Sequence, residues 1–546
     1  MLEKLRRKPD ATVTQCDSFS LKENPSPAVF NLNAGSFELK ATDLAARIGS
    51  LQTKTSKFET PALLPVIHPV RQLVPCSEIR AMGFEAVMTN AYTTFKGLQT
   101  RAHEGIHRII GYDGSIMTDS GGYQVLEFGS VEVDPLEMAR FEEKIGSDIA
   151  IILDKPTGLH VTKNFARKTV LETLDSARKT IESLTRSDII WTLPIQGGKY
   201  LDLVRMSAKQ SSKLDFGCYA LGSPVEVMEE YDFALLVQMI RASNSNLPQH
   251  RPFHLFGAGH PLIIPLAVAL GCDMFDSASY MLYARNDRYL SSSGTIRLEK
   301  LEFLPCTCKV CTKFTARELK GLKAEERVLN VARHNLYTLK QVIEETKQAI
   351  WEGRLWEFAR SKCSNHPLAF DAFKLAMSTS DLIDLGTPDL KERGIFLTDK
   401  TDVSRPEAKR HFTKIMRIDF SKKDRLIVVP EPKTKPFLTS DIFAELLKII
   451  DTNNSVISFI SPVFGLVPAE ISDVFPVSQI TSIIDDHGAR DFILNVKKWK
   501  RIDVMLRPDD SSKWLSEQLK DYSKKKRSKI VISNTYKSLK KKLAQV

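Results

Sequence analysis

From Pro61 onward, short apolar runs alternate with amphipathic stretches. Eight of these runs read as strands. They are ALLPVI (62–67), EAVMTNA (85–91), SIMTD (115–119), IAIILD (149–154), IIWTLPIQ (189–196), CYALG (218–222), FHLFGAG (253–259) and CDMFDS (272–277). Strand and helix repeated eight times is the sequence form of a (β/α)8 barrel, an α/β fold with a closed parallel sheet. Several runs end in a polar residue or glycine: Asn90, Asp119, Asp154, Gln196, Gly222, Gly257 and Asp276. In a parallel barrel all strand C-termini open on one face, so these positions are expected to converge around one mouth.

The pattern also divides the chain. Residues 1–30 are polar and read as a loose lead-in, and 31–395 form the expected barrel unit. Within it a cysteine-rich insertion at about 300–340 follows the eighth strand, and helical sequence with Trp351, Trp356 and Phe358 runs to Met377. Near Gly394 the texture shifts to shorter β-like runs such as RLIVVPEP (425–432) and SVISFISPVFGLVP (455–468). A smaller α/β domain is expected over 396–490, followed by a basic segment, 491–546, ending in Lys540, Lys541 and Lys542.

Charge gives that last segment a meaning. The chain of 546 residues carries a net +11, and residues 497–546 alone hold 16 Lys/Arg against 5 Asp/Glu, which leaves the body neutral. A basic end on a neutral body suits a polyanion, nucleic acid first, although a solvated tail gives the same count. A hydrophobic content of 42% is ample for packed cores. No secretory signal is visible in MLEKLRRKPD, and the most apolar stretch, 261–270, is too short to span a bilayer. A cytoplasmic protein without membrane contact is expected.

Three of the eight cysteines form a Cys-x-Cys-x2-Cys cluster, Cys306, Cys308 and Cys311, with His334 following on a helical stretch. Three thiolates and an imidazole are the donor set of a closed tetrahedral zinc site, so one structural Zn2+ is expected. The remaining cysteines are scattered, as in a reducing compartment.

A closed metal site leaves the chemistry to carboxylates. Asp119 in TDSGGYQ (118–124), Asp154 in ILDKPT (152–157) and Asp276 in FDSASY (275–280) all fall at strand ends. Asp-Ser-Gly-Gly alone is a turn motif, but three carboxylates on one mouth repel one another and are rarely placed together for stability. Two can serve as nucleophile and general acid/base, while the third accepts hydrogen bonds from a purine. Tyr123 and Phe256 are placed to sandwich a flat heterocycle, or to pack the barrel. Gly257-Ala258-Gly259 lacks the spacing of a dinucleotide fingerprint and reads as a close backbone approach.

Together, TDSGGYQ, ILDKPT, LPIQGG (193–198), FDSASY and CTCKVC (306–311) with His334 resemble the tRNA-guanine transglycosylases over about Phe37 to Tyr337. HLFGAGHP (254–261), LYARNDRYL (282–290) and FGLVPAEISDVFP (464–476) look like the archaeal branch of that family. The resemblance implies exchange of guanine 15 of tRNA for 7-cyano-7-deazaguanine (preQ0), the first step toward archaeosine. It implies Asp276 as the nucleophile at ribose C1′ and Asp119 as general acid/base, with the reverse assignment open. Asp154, Gln196 and the Gly222-Ser223 backbone would read the base, Tyr123, Phe256 and Gly257 would hold it, and Cys306, Cys308, Cys311 and His334 would bind zinc. Many archaeal relatives end in a PUA module, which is not recognisable here. Either the basic segment replaces it or a separate PUA-domain protein assists. The resemblance also implies a homodimer. The alternatives are a bacterial-type enzyme acting on the anticodon wobble guanine, the related archaeosine synthase, and a non-catalytic tRNA-binding subunit.

Overall fold

The computed structural model describes residues 34–122, 133–378, 381–461, 463–483, 498–506 and 513–545. The lead-in at 1–30 and Tyr123 lie outside the described residues.

An antiparallel sheet comes first: β1 (Phe37–Asp43), β2 (Ala46–Gln52) and β3 (Lys57–Thr60). The eight expected strands then appear in order: β4 (Ala62–Ile67), β5 (Ala86–Asn90), β6 (Ser115–Asp119), β7 (Ile149–Ile151), β8 (Ile190–Ile195), β9 (Cys218–Leu221), β10 (Phe253–Leu255) and β11 (Met274–Ser277). All eight pair in parallel, and β11 pairs with β4 to close the barrel. Alternation along each strand separates two cores. Leu64, Met88, Met117, Ile149, Ile151, Ile190, Cys218 and Met274 fill the interior, while Leu63, Val87, Ile116, Ala150 and Phe275 pack outward among the helices. Leu51 and Phe58 join the interior cluster from β2 and β3, so the first sheet stops the barrel's N-terminal end.

After β11 comes the expected insertion, with an antiparallel hairpin of β12 (Arg288–Ser291) and β13 (Gly294–Arg297). The 28-residue helix Ala324–Trp351 carries His334 and returns the chain to the barrel wall.

The second domain departs from the expectation. β14 (Ile395–Leu397) pairs with a later strand, and β15 (Arg425–Pro430) is the centre of a five-stranded sheet. The run 455–468 is two antiparallel strands, β16 (Ser455–Ser461) and β17 (Gly465–Pro468). β18 (Ile480–Ser482) is the partner of β14. The sheet then continues into the basic end with β19 (Arg501–Met505) and β20 (Lys529–Ser533), in the order β17-β16-β15-β19-β20. The boundary expected at 490 therefore falls inside one sheet. Trp499, Leu515, Leu519 and Tyr522 are buried against β15 and β16. The high charge of 491–546 hides two short strands whose lysines sit at the margins of the apolar positions.

Buried charges join the two parts. Lys391 bridges Asp43 (2.7 Å) on β1 and Glu407 (2.6 Å), and Arg405 pairs with Glu357 (2.5 Å) and Glu407 (3.3 Å). Arg405 also stacks over Trp356 at 5.3 Å.

Candidate active site and metal centre

The barrel brings Asp119, Asp154, Gln196, Gly222, Ser223, Phe256, Gly257 and Asp276 to the C-terminal mouth, each at or just past the end of its strand. Asp119 closes β6, where Oδ2 accepts from Asn90 Nδ2 (2.8 Å) and Oδ1 from the Gly121 amide (3.2 Å). Burial pushes the Asp119 carboxyl up to about 6, and the Asp276 charge adds to it against those two donors. Below it Glu142, fully buried, accepts from the Thr118 hydroxyl (2.7 Å) and is also driven well above the usual carboxylate range, by burial and then by the charge of Asp119.

The base-reading candidates form one connected unit. Gln196 Nε2 donates to Asp154 Oδ2 (2.5 Å), while its Oε1 accepts from the Thr157 amide (2.9 Å) and the Ser223 hydroxyl (3.0 Å). Those donors set the orientation of the amide. Burial raises Asp154 to about 7 in spite of the Gln196 donor, and the charge of Asp119 adds to the rise. Two glycines let this unit close. A Cβ on Gly122 would stand 2.2 Å from Asp154 Oδ1, and one on Gly222 would stand 2.3 Å from Gln196 Nε2. The Gly222 amide itself is taken by the Ile195 carbonyl (2.9 Å), and the next residue, Ser223, holds a left-handed φ of 58°.

Asp276 is 8% exposed on β11. Its Oδ1 accepts from His254 Nε2 (2.8 Å) and from the Gly257 amide (3.0 Å), which the left-handed φ of 67° at Gly257 turns inward. Phe256 is half-buried and tilts against His254 with ring centroids 5.1 Å apart. Asn90, Glu142 and His254 are not among the site residues expected from sequence. Asn90 carries a signal as a polar strand end, while His254 looks like an ordinary polar interruption of an apolar run.

In the insertion, one ligand atom each from Cys306, Cys308, Cys311 and His334 lies within 4.8 Å of the others. His334 Nδ1 faces the thiols of Cys308 (3.5 Å) and Cys311 (3.4 Å), while Nε2 donates to the Leu290 carbonyl (2.7 Å). That bond fixes the tautomer and leaves Nδ1 with a free lone pair. Tyr289 stacks on the ring at 3.6 Å and its hydroxyl lies 3.3 Å from Cys311 Sγ. The group can hold a metal ion.

Residues 42–368 match the sequence profile of the family described as Queuine tRNA-ribosyltransferase. The chain belongs to this family, the tRNA-guanine transglycosylases. Among curated relatives, the tRNA-guanine(15) transglycosylase of Saccharolobus solfataricus is 41% identical over 81% of this chain and 90% of its own length. Those of Pyrobaculum aerophilum (40%; 84% and 92%) and Sulfolobus acidocaldarius (38%; 85% and 91%) match to a similar extent. The barrel is accordingly that of a transferase that exchanges guanine in tRNA. Among the described residues no helix is long and apolar enough to cross a membrane.

Proposed function

We propose that the chain exchanges guanine 15 of tRNA for preQ0 through a covalent aspartyl-ribose intermediate. The observation that carries the position is the reach of the likeness. Relatives named for guanine 15 align over 81–85% of this chain, a longer stretch than residues 42–368, which match the family profile.

In this scheme Asp276 attacks C1′. The C1′–N9 bond breaks, its electron pair leaves with guanine, and the Asp119 carboxyl protonates the departing base. Asp119 then takes the N9 proton of preQ0, N9 attacks C1′, and the ester electron pair returns to Asp276. Two inversions restore the β-linkage. Asp154 and Gln196 read the purine with the Ser223 amide, and Phe256 and Tyr123 cover its faces. The target nucleotide must leave the tRNA stack to reach the pocket.

Zinc is the ion we assign to Cys306, Cys308, Cys311 and His334, because three thiolates and a carbonyl-locked imidazole suit a closed tetrahedral site. Bound there, it ties the Cys loop to the helix Ala324–Trp351 and leaves no position for substrate. We assign the lysines of 513–542 to the tRNA backbone.

Incubation of unmodified archaeal tRNA with labelled preQ0, followed by mapping of the label, tests the proposal. Label at position 15 is expected. Label at the wobble base would move the enzyme to the bacterial type, and binding without label would favour a scaffold subunit.

A further inference from the structure

His254 lies in a place where fold stability gives no reason for an imidazole. On β10 its neighbours Phe253 and Leu255 pack outward, while Met274 across the ladder and Phe256 two residues on face the barrel interior. Strand alternation therefore points His254 inward, beside Met274, and its side chain is fully buried. Its Nδ1 has no hydrogen-bond partner among the described residues. An apolar side chain of similar size would fill the space without an orphaned nitrogen. Among the described residues, the single polar contact that the ring makes from this position is Nε2 to Asp276 Oδ1, at 2.8 Å.

The consequence lies in how the two carboxylate oxygens differ. Oδ1 of Asp276 accepts from both His254 and the Gly257 amide, whereas Oδ2 accepts no hydrogen bond among the described residues. Asp119 is held differently, with one donor on each oxygen. A carboxylate oxygen only accepts, so the contact with Oδ1 requires an N–H on Nε2 of His254. We propose that His254 is a positioning residue, whose Nε2–H acts with the Gly257 amide to clamp Oδ1 of Asp276 and present Oδ2 to ribose C1′. The inference rests on Asp276 as the nucleophile. In the covalent step Oδ2 supplies the electron pair of the new O–C1′ bond and becomes the ester oxygen. Oδ1 becomes the ester carbonyl and keeps both donors throughout. The donors thus fix the attack direction without engaging the atom that must move, which lowers the reorganisation that the displacement requires.

The test compares wild type, His254→Phe and His254→Gln in exchange of labelled guanine into tRNA, a reaction that needs no preQ0. Phe fills the layer but has no donor, while the Gln amide places an N–H near the position of Nε2. Expected is a fall in kcat of about 100-fold for Phe, the scale for losing one oriented donor. The KM for tRNA should stay within about two-fold, because the loss falls on the chemical step. His254→Gln should recover at least about a tenth of wild-type kcat, and the melting temperature of His254→Phe should match or exceed that of wild type. Wild-type kcat in His254→Phe would overturn the proposal. So would equal losses in both variants with lowered melting temperatures, which would make the ring a packing element. Asp276→Asn is run beside them for covalent enzyme–tRNA adduct on denaturing gels. An adduct in that variant would refute Asp276 as the nucleophile and the clamp with it. No adduct there, with a wild-type kcat in His254→Phe, would remove the clamp alone.

Discussion

Gln196 and Asp154 share a 2.5 Å hydrogen bond from Nε2 to Oδ2, and the carboxyl at its far end is raised by burial to about 7. Below that pH Asp154 carries a proton, and above it the carboxylate can accept the N–H groups on a guanine edge. Recognition of the free base should therefore improve as pH rises. The KM for guanine is expected to fall from about pH 5.5 to about 8.5, with its midpoint near the Asp154 titration. Asp154→Asn should raise KM and flatten the dependence. Steady-state exchange assays across that range check both, and a pH-dependent KM in the Asn variant would assign the titration to another group.

Gly222→Ala tests the same unit from its other side. The added methyl would meet Gln196 Nε2 at 2.3 Å and the Ile195 carbonyl at 3.0 Å. Gln196 must then shift, and an overpacked site of this kind costs about 1–3 kcal/mol. The KM for guanine should rise about ten-fold or more, consistent with that strain. Titration calorimetry with the base and a thermal melt separate impaired recognition from impaired folding.

Much of this arrangement is legible in the sequence, for a physical reason. Parallel barrel strands are covered on both faces, so β4 to β11 stand out as apolar runs, and the polar residue or glycine at or just past the end of most of them marks the mouth. The cysteine spacing marks the metal group as clearly. What the sequence does not disclose depends on three-dimensional pairing. His254 and Glu142 hydrogen-bond to neighbours 22 and 24 residues away, at Asp276 and Thr118, and no local pattern distinguishes them. β19 and β20 are five residues each and rich in Lys and Arg at their margins, so charge masks their apolar positions. Their place beside β15 is decided by a core that includes Trp499 and Leu515.

The metal group should act on stability and leave the chemistry alone. Cys308→Ser removes one of the four groups proposed to bind zinc between the Cys loop and the helix Ala324–Trp351. Folded yield and bound zinc should fall together, with a loss of about 4 kcal/mol or more, the range in which loss of a metal site belongs. Metal analysis with denaturant unfolding checks this. A fully folded, metal-depleted variant without turnover would contradict a structural role.

Glu407 sits between Lys391 and Arg405 in the junction of the two parts. Burial alone would raise its carboxyl, but Arg405 first and then Lys391 outweigh burial and hold it at about 2, below its ordinary 4.5. A depressed carboxylate stabilises the fold above its unfolded value and loses that contribution as pH falls through the folded one. This share of stability should therefore persist at pH 5 and disappear between about 4.5 and about 2. Glu407→Gln leaves two buried cations short of a partner and should cost about 3–5 kcal/mol at neutral pH. Urea unfolding at several pH values measures both effects, and a pH-independent difference between the proteins would refute the linkage.

The role of the basic end cannot be tested by cutting it off, because residues 501–505 and 529–533 are two of the five strands of a sheet. Removing them would unfold the domain and lower tRNA affinity for that reason alone. Charge can be removed without touching the core. Lys524, Lys526, Lys537 and Lys541 are exposed on the helices Lys513–Lys526 and Tyr536–Leu543. Replacing all four with Gln should leave the melting temperature almost unchanged, since surface substitutions usually stay within about 0.5 kcal/mol. If these side chains follow the tRNA backbone, affinity falls. The slope of log K against log salt then flattens by about 0.9 for each duplex phosphate that a replaced lysine had neutralised. Binding measured between about 50 and 200 mM salt resolves a change of that size. An unchanged slope would assign RNA binding to the barrel mouth or to a separate PUA-domain protein. The exchange rate on saturating tRNA should not respond in either case, because the four lysines lie on the second domain and the carboxylates proposed to react lie in the barrel.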